Sequence, residues 1–95
     1  MKISELKAGM RNVSVTAKVD SVGEPRTVNL KAGGTNNVAD AIISDDSGSM
    51  KLSLWGEDIN KVRAGDTVSI ENGYINTFKG ENSINIGKFG KLNKV

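Results

Sequence analysis

The sequence predicts an all-β protein, a small barrel interrupted by one short helical segment. Apolar residues recur mostly at every second position, turn-forming segments rich in glycine and asparagine separate these runs, and the helical patterns are about one turn long. Of the 95 residues, 37% are apolar, which is enough for one core but not for two. We therefore expect a single domain over residues 1–95.

The composition excludes most enzyme classes. Histidine and cysteine are absent, so the chain has no imidazole base, no thiolate nucleophile and none of the usual zinc ligands. No glycine-rich phosphate-binding motif occurs, and the adjacent Asp45 and Asp46 are expected to accept hydrogen bonds within a turn. We predict a protein that is not an enzyme, with no catalytic residue, no cofactor and no metal site.

Charge and hydropathy indicate where the protein acts. The 13 basic and 11 acidic residues give a net charge of +2, so the total alone does not predict a polyanionic partner. The longest apolar run, Ala41–Ile43, is far too short to span a membrane, and Met1–Glu5 does not open a signal peptide. We expect a soluble, cytoplasmic protein without membrane contact.

The first third of the chain predicts a short helical turn, one strand and a long connection. Ile3, Leu6 and Met10 form an apolar face on a turn that starts at Ser4 and ends near Gly9. A strand follows, buried on one side through Val13, Val15, Ala17 and Val19. Residues 23–37 contain the only proline and two adjacent glycines, which favours a mobile connection or an irregular hairpin with an exposed tip.

Two further strands flank a turn at residues 45–48. In the second strand, Val38–Ser44, two sets of residues compete for the core, and we favour the set that contains Ala41 and Ile43. The third strand starts at Ser49; Met50, Leu52 and Leu54 share its inner face, and Lys51, Ser53 and Trp55 share the other. The only tryptophan therefore lies among polar residues.

A helical turn at Glu57–Val62 precedes the fourth strand, which requires one extra residue. Val68 and Ile70 point inward, and strict alternation would then leave Ile75 in water. A bulge near Asn72 and Gly73 returns Ile75 to the core. The same shift places three side chains on the outer face: Tyr74, Asn76 and Phe78.

A turn at residues 79–81 leads to the fifth strand, Ser83–Gly87, with Ile84 and Ile86 inward and Asn85 outward. The remaining residues are expected to form a short tail that covers one end of the barrel. Five strands with a very short helix between the third and the fourth match the Greek-key barrel known as the OB-fold.

The predicted outer face suggests a ligand with flat rings and negative charge. Trp55, Tyr74 and Phe78 lie on one polar face, where unstacked nucleobases are natural partners for exposed rings. Backbone phosphates would pair with four nearby cations: Lys51, Lys79, Arg26 and Lys31. Four neutralised phosphates predict a slope of roughly −3 for log affinity against log salt. The alternative is that the rings cover the core rim or contact a protein partner.

The chain resembles the OB-folds of archaeal single-stranded DNA-binding proteins, which are related to replication protein A and to a subunit of the eukaryotic sensor-of-single-stranded-DNA complex. The resemblance covers nearly the whole chain. It rests on an ordered series of motifs: Ile3-x-x-Leu6-Lys7-x-Gly9-Met10, Asp45-x-Ser47-Gly48, Leu52-Ser53-Leu54-Trp55, Gly65-Asp66, Gly73-Tyr74 and Phe78-Lys79-Gly80. In that family the aromatic residues matching Trp55, Tyr74 and Phe78 stack on bases.

The resemblance implies a protein that coats exposed single-stranded DNA in replication, recombination and repair, largely without reading sequence. Such a protein would be associated with the nucleoid and would work beside replication or repair proteins, although no recruiting tail is visible here. Some relatives carry a further aromatic residue where this chain has Asn85, so a fourth stacking contact is not expected. Two alternatives remain: an OB-fold that binds single-stranded RNA, and an OB-fold that serves as a protein-interaction subunit.

Overall fold

The computed structural model describes residues 2–78 and 80–95, without the side chains of residues 78 and 87–89. Within these residues the chain forms a 3-10 turn, six strands and one short helix. In order they are the 3-10 turn Ile3–Glu5, β1 Val13–Val22, β2 Arg26–Asn29, β3 Thr35–Asp45, β4 Gly48–Trp55, α1 Asp58–Lys61, β5 Thr67–Phe78 and β6 Glu81–Lys94. The predicted all-β class is confirmed, with the helix between the third and fourth predicted strands.

The strands form one sheet that closes on itself. Their order is β1-β5-β6-β4-β3-β2, and a further pairing between β1 and β3 completes a barrel of five strands. β4 and β6 run parallel, and the other pairs are antiparallel. The predicted five-stranded barrel is confirmed, and β2 is an additional strand on its side. No helix in the described part of the chain is long and apolar enough to cross a membrane.

The barrel interior contains the apolar side chains that alternation assigns to it. In β1 every second residue is buried from Val13 to Val19. Ala41 and Ile43 are fully buried in β3, as we favoured, and Ile42 between them is exposed. The largest fully buried side chains come from four strands, so the core is continuous around the barrel: Ile43, Leu52, Leu54, Ile70 and Ile84.

A bulge in β5 confirms the predicted change of alternation. The pairing of β5 with β6 shifts between Glu71 and Gly73, and Asn72 adopts a left-handed backbone with φ of 54°. Gly73 is required here for space, because an added Cβ would lie 3.1 Å from both the Asn85 carbonyl oxygen and Ile70 Cγ2. Beyond the bulge Ile75 is buried and Tyr74 is exposed.

The N-terminal segment is fastened to the turn between β3 and β4. The helical turn predicted from Ser4 to Gly9 was wrong in its bounds: the structure has a 3-10 turn at Ile3–Glu5, which ends because Leu6 adopts an extended backbone. The Ser4 N–H donates to the Ser47 hydroxyl oxygen. Asp45 accepts hydrogen bonds from the Ser47 hydroxyl and from the Ile3 N–H. These bonds, the Ser47 hydroxyl first, lower the pKa of Asp45 to about 2.

Two connections are more ordered than the sequence indicated. Residues 23–37 contain β2 and the beginning of β3, which pair with each other. Of the two alternatives for this segment, the irregular hairpin is therefore the correct one. Gly33 and Gly34 form its tip with positive φ. The prediction of a short tail was also wrong, because β6 continues to Lys94. Residues 91–94 pair with the first half of β5 and satisfy the backbone hydrogen bonds of that strand.

Candidate nucleic-acid interface

The outer face of the sheet is organised in rows of residues that lie opposite one another on neighbouring strands. Residues in register point to the same side of a sheet, so each row marks one line across this face. The first row contains Arg26, Val38 and Trp55; the second contains Asp40, Ser53, Asn85 and Tyr74; the third contains Ile42, Lys51, Ser83 and Asn76. Residues distant in the chain are thereby brought into one surface.

A groove of about 580 Å³ lies between these rows and the β2–β3 hairpin. Val28, Leu30 and Lys31 line the hairpin side, and residues from all three rows line the rest. The hairpin folds back closely at its base, where the Gly23 N–H donates to the Asp40 carbonyl at 2.7 Å. A Cβ at Gly23 would lie 2.9 Å from that oxygen, so glycine permits the close approach that forms the groove wall.

Among the described side chains, Trp55 is the aromatic one that lines the groove. It lies at the end of β4 and is 37% exposed, in the same row as Arg26 and Val38. The next residue, Gly56, has a φ of 56° and donates its N–H to the Asn37 carbonyl, so the chain turns away directly after the ring. This turn leaves part of the indole accessible from the groove.

Tyr74 lies on the same outer face, farther across the sheet. It is 41% exposed and is opposite Asn85, two strands from the strand of Trp55 and one row away. From the usual distance between neighbouring strands and the usual rise per residue, the Cα atoms of Trp55 and Tyr74 are roughly 12 Å apart. Two rings at this separation would each contact a different base. The predictions for the Phe78 side chain and for Lys79 fall outside the described residues.

The predicted cations Arg26, Lys31 and Lys51 all line the groove. Two of them have acidic partners that the sequence analysis missed. Arg26 Nη1 lies 3.2 Å from Asp40 Oδ2, and Lys51 Nζ lies 3.1 Å from Glu81 Oε2. Arg26 and Asp40 lie in neighbouring rows. They come together because of the register in which β2 pairs with β3.

The middle of the groove is polar. Asn85 lies on the outer side, as predicted, but its neighbours cover it to 6% exposure. Its Nδ2 donates to the Ser83 hydroxyl oxygen at 3.5 Å, and Ser53 and Asn76 line the groove beside it. This surface presents amide and hydroxyl groups, which donate and accept hydrogen bonds with bases or sugars.

Sequence reasoning missed the apolar part of the hairpin. Val28 and Leu30 line the groove, and Leu30 is 40% exposed. The available signal was the alternation of Arg26, Val28 and Leu30 ahead of the Gly33-Gly34 turn, which is the pattern of a hairpin strand. A groove with an apolar wall, a polar floor, an exposed indole ring and nearby cations suits a flat ligand with a charged backbone.

An OB-type barrel with such a groove defines a class of nucleic-acid-binding proteins, and sequence comparison identifies the family. Residues 6–94 match the family described as "Single-stranded DNA binding protein Ssb-like, OB fold". This chain belongs to that family. It is 35% identical over 91 residues to the single-stranded DNA binding protein Ssb of Saccharolobus solfataricus, an alignment that covers 96% of this chain and 61% of the relative.

A second relative and one solved structure agree with this assignment. Replication factor A of Methanothermobacter thermautotrophicus is 38% identical over 72 residues, covering 75% of this chain and 9% of that protein. The chain therefore spans less than two thirds of the length of either relative. The solution structure of a replication factor A related protein from Methanobacterium thermoautotrophicum covers all of this chain and 89% of that one, with a TM-score of 0.82 and 28% identity.

Proposed function

We propose that this protein binds single-stranded DNA in the groove between the β2–β3 hairpin and the outer face of the barrel. Binding is largely independent of sequence, and the protein coats strands exposed during replication, recombination and repair. It works next to the DNA, in the cytoplasm, beside other replication or repair proteins. Its relatives in the same family carry the names single-stranded DNA binding protein and replication factor A.

The observation that carries the proposal is the position of Trp55, a partly exposed ring in a groove that also contains cations. Every base has a flat face, and stacking on an aromatic side chain contributes about 1–3 kcal/mol per base. A single strand offers free faces, whereas the bases of a duplex are already stacked on one another. The same groove therefore favours single strands.

Each side chain has a distinct role in this proposal. Trp55 and Tyr74 stack on separate bases, and Phe78 provides a third ring. Phosphates lie near four cations: Arg26, Lys31, Lys51 and Lys79. Asn85 and Ser53 hydrogen-bond to whichever base or sugar edges reach the groove floor, which fits binding without a fixed sequence.

Tryptophan fluorescence tests the proposal, because Trp55 is the only tryptophan. The protein is titrated with oligo-dT, with oligo-U and with a duplex of matched length, at low and at high salt. We expect quenching by oligo-dT that weakens with salt, and much less quenching by the duplex. Unchanged emission at micromolar protein and low salt would contradict the proposal.

Two other outcomes identify the alternatives. Tighter binding of oligo-U than of oligo-dT would make RNA the ligand, since the stacking contacts are common to both and the 2′-hydroxyl distinguishes them. Absence of quenching by either strand, together with capture of a protein partner after nuclease treatment, would identify an interaction subunit whose ring face is covered by another chain.

A further inference from the structure

Two cations of the groove are held by carboxylates of the same groove. Arg26 is paired with Asp40, and Lys51 is paired with Glu81, at nitrogen–oxygen distances of 3.2 and 3.1 Å. All four side chains line the groove. A phosphate that enters therefore meets cations that already have anionic partners.

Stability of the fold does not explain these pairs. The side chains of Glu81 and Arg26 are 72% and 58% exposed, and ion pairs at such positions contribute little to folding. The carboxylates of these pairs also repel a bound phosphate. Among the residues that the structure describes, three cations and two carboxylates line the groove and give a net charge of +1, whereas these cations alone would give +3. A carboxylate at about 7 Å from a bound phosphate lowers the binding constant about threefold in water.

We propose that Asp40 and Glu81 are specificity-determining residues, which make binding depend on free bases rather than on phosphates. The inference rests on the proposed function. A duplex offers mainly phosphates, and a groove of low net charge attracts it weakly. A single strand also offers bases to Trp55, and that contact does not depend on the carboxylates. The two acidic residues lower affinity for both ligands, and by a larger factor for the duplex, because its two strands place more phosphate charge near the carboxylates than a single strand does.

The test compares Asp40→Asn, Glu81→Gln and the double variant with the unmodified protein. Both substitutions keep the shape of the side chain and remove its charge. Binding of fluorescein-labelled oligo-dT and of a labelled duplex is measured by anisotropy between about 50 and 200 mM salt, the range over which phosphate contacts change affinity most visibly. Glu71→Gln is the control, because it changes the net charge equally but lines a separate surface with Ser14 and Thr16.

We expect each substitution to raise oligo-dT affinity about twofold at about 50 mM salt, where ions screen part of the repulsion, and to raise duplex affinity by more, so that the ratio of oligo-dT affinity to duplex affinity falls. The slope of log affinity against log salt should steepen by about 0.7 per substitution, because one more cation becomes free for a phosphate. In the double variant, the changes in affinity and in slope from the two substitutions should add.

The inference is overturned if the ratio and the slope of both variants equal those of Glu71→Gln while the unmodified protein binds oligo-dT. Failure of the unmodified protein to bind oligo-dT would instead reject the proposed function, so the two failures are distinguishable. Melting temperatures establish that the variants are folded. If Asp40→Asn is unstable, Glu81→Gln decides alone, since its side chain is 72% exposed.

Discussion

Replacing Trp55 by alanine should weaken binding of single-stranded DNA by an amount that follows from its exposure. A tryptophan side chain has up to about 250 Å² of surface, so 37% exposure leaves about 90 Å² accessible. Covering half to all of that area with a base, at about 25 cal/mol per Å², is worth about 1–2 kcal/mol. The affinity of Trp55→Ala for oligo-dT should therefore fall about 5- to 30-fold.

The same substitution also affects the fold, and the assay must separate the two effects. The covered part of the side chain, about 160 Å², packs in the row with Arg26 and Val38, so its loss lowers stability as well. Trp55→Phe is the matched control, because it keeps a ring in the groove. We expect it to retain most of the affinity that Trp55→Ala loses.

The measurement is the anisotropy of a labelled oligo-dT, since the intrinsic fluorescence of Trp55 is lost in both variants. Titrations are made well below the melting temperature of each variant, which circular dichroism provides. Equal affinities of the unmodified protein and of folded Trp55→Ala, within twofold, would refute stacking at this ring. The ligand would then bind elsewhere on the barrel.

Two further predictions concern the elements that hold the binding face in place. Gly73→Ala should lower the free energy of unfolding, measured in urea, by about 1–3 kcal/mol, because the new Cβ would lie 3.1 Å from a carbonyl oxygen and from Ile70. Gly48→Ala, with 4.0 Å to its nearest neighbour, is the control. Equal unfolding midpoints for the two variants would refute the steric argument. The pKa of Asp45 is lowered from 3.8 to about 2 by the Ser47 hydroxyl and the Ile3 N–H, so its contribution to stability is complete above about pH 4 and is lost as the pH falls through 2. Asp45→Asn should melt at a lower temperature at pH 7 and lose less on acidification over this window; parallel melting curves would contradict that role.

The barrel strands were predictable because each has one face in the core. The alternation in β1 and β4 identifies the buried side directly, and it thereby identifies Trp55 as outward. The bulge was also predictable, since burying Ile75 requires one extra residue in the strand. Asn72 tolerates the left-handed backbone and Gly73 the close packing that the bulge needs. Both inferences rest on the burial of apolar side chains, which leaves a pattern that is visible in the sequence.

The features that were missed depend on pairing between distant segments. The hairpin strand β2 and the second half of β6 are held by backbone hydrogen bonds, which almost any residue makes. Composition therefore left the hairpin as one of two alternatives and suggested a tail in place of the end of β6. The pairs Arg26–Asp40 and Lys51–Glu81 exist only once the register is fixed. Charged residues show no periodicity that would disclose their partners beforehand.

The single unpaired residue in β5 sets the phase of everything that follows it in the strand. Removing Asn72 would exchange the environments of Tyr74 and Ile75, with the phenol buried under the barrel and the aliphatic chain facing solvent, although both amino acids would be unchanged. The number of residues between Ile70 and Tyr74 is therefore as much a determinant of ligand contact as the aromatic ring itself. Two related chains that differ by one residue in this interval cannot be assumed to present matching side chains beyond it.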